Sequence, residues 1–381
     1  MKKALLNTAR LAVVVAASLF AAPVARGAKN AEAAPTSVPF GEARFGVNLA
    51  VAEFGGHAIP GTYGVHYIYP EPKVLDYYRA KGRTLIRFPF LWERMQRSLN
   101  SPLDATELAH LQEFLRAAGQ RQMHVILDVH NYGRYKFAGE EGEAQIIGSE
   151  RVPYAAFADL WSRLVTAVKD DPAVYAYGLM NEPHGMGDAM RWPLAAQAAI
   201  DAIRKLDTRT PIMVCGDQFG SAGDWRKGSN ETIHEKVHDP QNNLIFEAHC
   251  YFDKNLSGTY KKTYEEEGGS PNVGIERVRP FVEWCRDKGV RGFVGEYGVP
   301  DNDTRWLVAM DRFLAYLQAN KISATYWAAG PWWGPYPLSI EPSDARAAAK
   351  EGTAQDGAAK DGVAAQPVDR PQMLVLRQYP G

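Results

Sequence analysis

Leu179-Met180-Asn181-Glu182-Pro183 and Phe293-Val294-Gly295-Glu296-Tyr297-Gly298 share one pattern. In each, a short apolar run ends on a glutamate and gives way to a loop rich in Gly, Pro or His. Runs that stay apolar rather than alternating are what parallel strands covered on both faces require. A carboxylate placed where such a strand meets its loop is held rigidly and can still face a cleft. Working outward, similar runs recur at 45–49, 84–88, 124–129, 174–180, 211–215, 244–248, 292–295 and 324–327.

Helical patterns lie between the runs. Asp104-Ala105-Thr106-Glu107 has the form of a capping box and leads into Leu108, Leu111, Phe114 and Leu115. Pro153 opens a helix with Phe157, Leu160, Trp161, Leu164 and Val168 on one face. Residues 194–206, 274–288 and 304–318 read the same way, and Pro280 is expected to kink or shorten the helix that holds it. Eight strand-like runs alternating with helices predict an α/β fold, a (β/α)8 TIM barrel forming one catalytic domain over residues 40–381. A doubly wound open sheet is the alternative, but no Gly-rich phosphate turn follows a strand where that fold needs one.

Two stretches stand outside this rhythm. Residues 344–369 are rich in Ala, Gly, Lys and Asp without periodic apolar positions, and read as a disordered surface insert before a last helix around 372–378. At the other end, Lys2, Lys3 and Arg10 precede an apolar stretch over 11–22 and then small residues. That is the pattern of a secretory signal peptide, placed at 1–27 with a flexible lead-in over 28–39. It is too short for a membrane span, and no later segment reaches spanning length, so the mature chain is expected to be secreted or periplasmic.

Lys+Arg 43 against Asp+Glu 44 leaves no charge excess with which to seek nucleic acid or anionic lipid. Nine Trp and eighteen Tyr supply rings that fill cores and also suit stacking on sugars. The three cysteines, Cys215, Cys250 and Cys285, cannot all pair within one chain. They read as buried small hydrophobes, with a Cys215–Cys250 bridge left open. There is no Cys-x-x-Cys or His-Glu-x-x-His, so neither a metal nor a cofactor has support.

In such a barrel the functional rim lies at the C-terminal ends of the strands. The polar residues found there are Arg87, Asp128, His130, Asn131, Asn181, Glu182, His249, Tyr251 and Glu296, with Trp327 beside them. Glu247 is read as pointing away from the rim and is given no role. So many polar groups would be costly to bury without partners, which favours a shared function over coincidence. Two facing carboxylates are the minimum equipment for hydrolysing a glycosidic bond, one to protonate the leaving oxygen and one to attack the sugar carbon.

Asn181-Glu182-Pro183, Leu127-Asp128-Val129-His130-Asn131-Tyr132, Phe246-Glu247-Ala248-His249-Cys250-Tyr251 and Gly295-Glu296-Tyr297-Gly298 resemble glycoside hydrolase family 5, and within it endo-β-1,4-glucanases of the cellulase type. Residues 87–94 and 325–334 strengthen the likeness, which runs from about residue 45 to the C-terminus apart from the insert. The resemblance implies a retaining double displacement with Glu182 as acid/base and Glu296 as nucleophile, the carboxyl groups standing about 5–5.5 Å apart. It implies that Arg87 and the Tyr251 hydroxyl keep Glu296 ionised, that His249 orients Glu182 or Tyr251, and that Asn181 donates to a sugar 2-hydroxyl. His130 would hold another hydroxyl, Trp327 would floor the cleavage point, and Trp225 and Trp332 would stack further sugars. Phe219 stands where relatives often carry Trp, so one subsite is expected to bind more weakly.

The implied partner is a β-1,4-glucan, bound by a monomer. β-Mannan or a mixed-linkage β-glucan is the alternative substrate, and a non-catalytic glycan-binding barrel the remote one.

Overall fold

The computed structural model describes residues 42–140, 142–342 and 368–381. The signal segment 1–27, the lead-in 28–39 and the insert as far as residue 367 lie outside the described residues.

Eight parallel strands close into a barrel in sequential order, which excludes the open sheet. They are β1 (Phe45–Leu49), β2 (Leu85–Phe90), β3 (His124–Val129), β4 (Val174–Gly178), β5 (Ile212–Cys215), β6 (Leu244–His249), β7 (Gly292–Tyr297) and β8 (Ser323–Ala329). All eight coincide with the apolar runs of the sequence to within two residues, and β2, β7 and β8 each extend two residues past their expected ends. A small antiparallel hairpin, Arg134–Tyr135 against Gln145–Ile146, decorates the loop after β3.

Side chains alternate across each strand, so every second residue enters the barrel. Leu85, Ile126, Ala176, Met213, Ile245 and Phe293 make an apolar layer of their own, separate from the larger core between strands and helices. Two residues further along the same six strands stand Arg87, Asp128, Gly178, Cys215, Glu247 and Gly295. This second layer is where the interior turns from hydrocarbon to charge.

On β7 the alternation is broken. Ala248 pairs with Val294 but His249 pairs with Glu296, so the register skips Gly295. The irregularity leaves Gly295 and Glu296 both facing inward, the usual effect of a bulge, and it delivers the glutamate to the cleft.

The helices cover the outside. In α1 (Ala105–Gln120) the Asp104 carboxylate accepts from the backbone N–H of Thr106 and Glu107, both at 3.0 Å. The Glu107 side chain does not return the favour to Asp104; it accepts from the hydroxyls of Tyr67 and Tyr69 instead, so only half the capping box forms. In α2 (Tyr154–Val168) Phe157, Leu160, Trp161, Leu164 and Val168 are all buried.

The helix Val273–Lys288 runs through Pro280 at full length, so of the two expected effects, a kink or a shortening, the shortening does not occur. Proline removes a single N–H donor. Val278, Phe281, Val282 and Trp284, buried on both sides of it, hold the helix to the barrel. The last helix spans Pro371–Leu376. No helix among the described residues is long and apolar enough to cross a membrane.

Candidate active site

Arg87 is the centre of the charged layer and is fully buried. Its guanidinium lies 2.9 Å from Glu247 Oε1, 3.1 Å from Asp128 Oδ1 and 3.1 Å from Glu296 Oε1. It also donates to Asn48 Oδ1 at 3.0 Å and to Asn181 Oδ1 at 2.8 Å. Burial penalises the charge, but Asp128, Glu247 and Glu296 more than offset it and hold the guanidinium firmly protonated.

Above this layer the rim residues converge. Glu296 accepts from Arg87 and, through Oε2, from the Tyr251 hydroxyl at 2.7 Å. Burial first, and then the Glu296 charge, push the Tyr251 phenol well above its ordinary range, so it stays a donor. Glu182 follows β4 with a left-handed backbone, φ 44°, a conformation a non-glycine residue adopts only when its surroundings hold it there.

The His249 ring stands between the two glutamates. Its Nδ1 is 2.6 Å from Glu182 Oε1 and 3.6 Å from Glu296 Oε2, while Nε2 faces Glu247 Oε1 at 3.3 Å. Burial opposes its charge, yet Glu296, Glu182 and Glu247 outweigh burial and push its pKa up to about 10. These carboxylates favour a ring protonated on both nitrogens, with Nδ1 facing Glu182 and Nε2 facing Glu247. Donor atoms of Glu182, His249 and Glu296 lie within 4.8 Å of one another, which is compact enough for a cation. With both ring nitrogens protonated, however, the trio shares protons rather than offering lone pairs.

His130 donates Nδ1–H to Asp128 at 2.8 Å, and its Nε2 meets the Asn181 amide and the Tyr132 hydroxyl, each at 3.3 Å. Burial disfavours its charge, but the bond to Asp128 and that carboxylate's field raise its pKa. The ring lies parallel to Trp327, with centroids 5.5 Å apart. Trp333 meets the same indole edge-on at 5.7 Å. These groups open on a cleft of about 610 Å³ whose far wall carries Gln218, Phe219, Ser221, Asp224, Asn255 and Ser257.

Eight of the ten expected site residues are thus placed: Arg87, His130, Asn181, Glu182, His249, Tyr251, Glu296 and Trp327 meet in one cluster. The other two differ. Trp225 is not a sugar platform. It is fully buried, edge-on to Phe281 and Trp284, because the loop after β5 turns down onto the helix after β6. Trp332 is 48% exposed and stands outside the cleft lining, while the neighbouring Trp333 meets Trp327 edge-on.

Asn131 turns away from the rim to accept from the Trp92 N–H at 2.7 Å and to donate to Glu93 at 2.7 Å. Phe219 is 50% exposed and stacks on His184 at 3.9 Å. The three cysteines are buried free thiols, which closes the Cys215–Cys250 alternative.

Glu247 is the principal correction. It points into the barrel, as any residue two before His249 on the same strand must, and that spacing was the signal that it belonged with the site. Asn48 and Glu53 were also missed. The Asn48 amide donates to the Gly295 and Thr325 carbonyls at 2.9 and 3.2 Å. A polar residue inside the apolar run 45–49 could have revealed it. Glu53 keeps a buried oxygen without a hydrogen-bond partner. Burial pushes its pKa up to about 8, with His130 pulling it down.

A closed parallel barrel with two carboxylates facing each other across its C-terminal mouth defines a glycoside hydrolase. Comparison with known proteins narrows the class. The family profile described as Cellulase (glycosyl hydrolase family 5) matches residues 45–332. The chain is 34% identical over 324 residues to a probable endo-beta-1,4-glucanase B of Neosartorya fischeri, covering 84% of this chain and 92% of that one.

Among solved structures it is similar to Pseudomonas stutzeri endoglucanase Cel5A in complex with cellobiose. The identity is 42% and the TM-score 0.77, covering 89% of this chain and 92% of that one. XacCel5A in complex with cellopentaose is 38% identical at TM-score 0.76, covering 88% and 99%. The chain belongs to glycosyl hydrolase family 5.

Proposed function

We propose that this protein is a secreted endo-β-1,4-glucanase that cleaves internal bonds of a cellulose-type glucan with retention. Glu296 is its nucleophile and Glu182 its acid/base. The observation that carries the reading is the spacing: a carboxylate oxygen of Glu182, one of Glu296 and the His249 nitrogen fall within 4.8 Å of one another. Inverting enzymes hold their carboxyl groups about 6.5–9.5 Å apart to admit a water, so the tighter spacing favours direct attack by Glu296.

In the first step Glu296 bonds to the sugar carbon while the bond to the leaving oxygen breaks and that oxygen takes the Glu182 proton. Water then hydrolyses the glycosyl–enzyme ester, giving a proton back to Glu182. Arg87 and Tyr251 hold Glu296 in place as an acceptor. Asn181 gives its oxygen to Arg87 and turns one amide hydrogen toward His130, which leaves the other to meet a sugar 2-hydroxyl that binds more tightly in the transition state. His130 holds a second hydroxyl, Trp327 lies under the sugar at the cleavage point, and Trp332 offers an outlying stacking surface. Two structural relatives are described in complex with cellobiose and cellopentaose, which supports a β-1,4-glucan as ligand.

Glu296→Ala should abolish hydrolysis of carboxymethylcellulose, and unchanged turnover would refute the assignment. Following the first-formed product by NMR should show the β-anomer. Mannan should be cleaved far more slowly than carboxymethylcellulose, because an axial 2-hydroxyl misplaces the partner of Asn181. Residues 1–27 would direct export, which the N-terminus of protein recovered outside the cytoplasm checks. Elution as a single 381-residue-derived chain on size exclusion tests the monomer.

A further inference from the structure

We propose that Glu247 is a positioning residue for acid catalysis, holding the His249 ring as a fixed double donor behind Glu182. The inference rests on the reading of Glu182 as acid/base. Glu247 is 1% exposed and does not line the cleft, so it cannot touch a glucan. It acts through a line of groups instead: Arg87 Nε is 2.9 Å from its Oε1, the same oxygen is 3.3 Å from His249 Nε2, and His249 Nδ1 is 2.6 Å from Glu182.

A second strand makes room for this arrangement. A Cβ on Gly295 would fall 1.9 Å from Glu247 Oε1 and 2.9 Å from His249 Nε2. The glycine before Glu296 thus leaves a space shaped for the Glu247 carboxylate, beside the bulge that aims the nucleophile. Other charged or titratable groups face this pair from every side. Arg87 comes from β2, Glu182 from the end of β4, Cys215 from β5 and Glu296 from β7.

The line matters because the Glu182 charge changes during the reaction. When its proton goes to the leaving oxygen and the glycosidic electron pair follows onto that oxygen, Glu182 is left as a carboxylate. A donor already pointing at it strengthens as that charge appears. A neutral imidazole with a lone pair on Nδ1 would instead compete for the proton. The Glu247 carboxylate prevents this by anchoring Nε2–H and favouring the doubly protonated ring. Removing that negative charge must lower the proton affinity of His249, so the donor is lost at a lower pH.

The test compares kcat against pH for the parent, Glu247→Gln, Glu247→Asp and Glu182→Gln, on carboxymethylcellulose and on 2,4-dinitrophenyl β-cellobioside, whose leaving group needs no acid. In Glu247→Gln the alkaline limb on carboxymethylcellulose should move down by about one pH unit, a roughly tenfold loss above it. Glu247→Asp keeps the charge at shorter reach, and its limb should fall between the two. Should the Gln variant fail to fold, the Asp variant alone decides.

An alkaline limb unmoved in every folded Glu247 variant overturns the proposal, and so does a loss that is uniform across pH. Glu182→Gln should lose at least about a hundredfold on carboxymethylcellulose and far less in ester formation from the aryl substrate. If it keeps the parent's rate on both, the acid/base reading fails instead, and the two failures are distinct.

Discussion

Single side chains in this protein are read best by what they face. Tyr251 spends its hydroxyl on Glu296 at 2.7 Å. Tyr251→Phe removes that donor without changing the ring, so kcat on a soluble glucan should fall about 10²-fold while the fold persists; a loss below threefold would deny Tyr251 its part. Glu53 is the opposite case, a carboxyl that gains nothing from ionising. Its folded pKa, about 8, lies above the ordinary carboxylate value of 4.5, so its contribution to stability is whole below 4.5 and is lost as pH rises through 8. Glu53→Gln should therefore raise the melting temperature by about 2–4 °C at pH 8.5 and have little effect at pH 4. Calorimetry at the two pH values checks it. Equal effects at both would show that the charge is not the cause.

Among elements, the loop after β6 is the one whose order bears on the cleft. Asp253 is fully buried, and its carboxylate accepts from the Ser257 hydroxyl and from the N–H groups of Gly258, Thr259 and Tyr260 at 3.0–3.3 Å. Arg277 ties the carbonyls of Tyr251 and Asp253 to the following helix. Since Asn255 and Ser257 line the cleft, Asp253→Ala should raise KM for cello-oligosaccharides severalfold, with a smaller effect on the aryl cellobioside. Steady-state kinetics on both substrates would show it, and equal losses would mean a general loss of structure.

This is also the scale at which the sequence was most legible. Parallel strands announce themselves as apolar runs because both faces are covered, and all eight were visible for that reason. The same continuity hides which residues face inward. That is why Glu247 went unassigned while His249, two residues on, was placed correctly. The bulge at Gly295 has no signature of its own, and the burial of Trp225 depends on a loop path that no local pattern records. Asp253 belongs to a loop whose periodicity says nothing.

At the scale of the whole molecule, the charged layer of the barrel interior is centred on Arg87. Arg87→Ala leaves Asp128, Glu247 and Glu296 without their guanidinium, and losing one member of a buried ionic set costs about 3–5 kcal/mol. Urea unfolding at pH 7 should show that loss. In the parent, burial raises the Glu247 pKa, but Arg87 and His249 together outweigh it and lower it, so its contribution is present above the ordinary value of 4.5 and is lost as pH falls through the folded value. Acidification should thus weaken the parent but narrow its gap to the variant, and a gap independent of pH would count against the charge network.

The cleft mouth is furnished unequally. On the β8 side lie the faces of Trp327 and Tyr336, with Trp333 stacked behind Tyr336 at 4.7 Å. On the β5 and β6 side lie Gln218, Ser221, Asp224, Asn255 and Ser257, with Phe219 an exposed ring beside them. A flat ring grips a polymer without caring where along its length it sits, whereas a hydroxyl or amide grips at one place. A glucan drawn through would glide over the first half and catch on the second, like a bolt against a detent. The smooth half would then bear on how readily a chain moves, and the toothed half on where it stops.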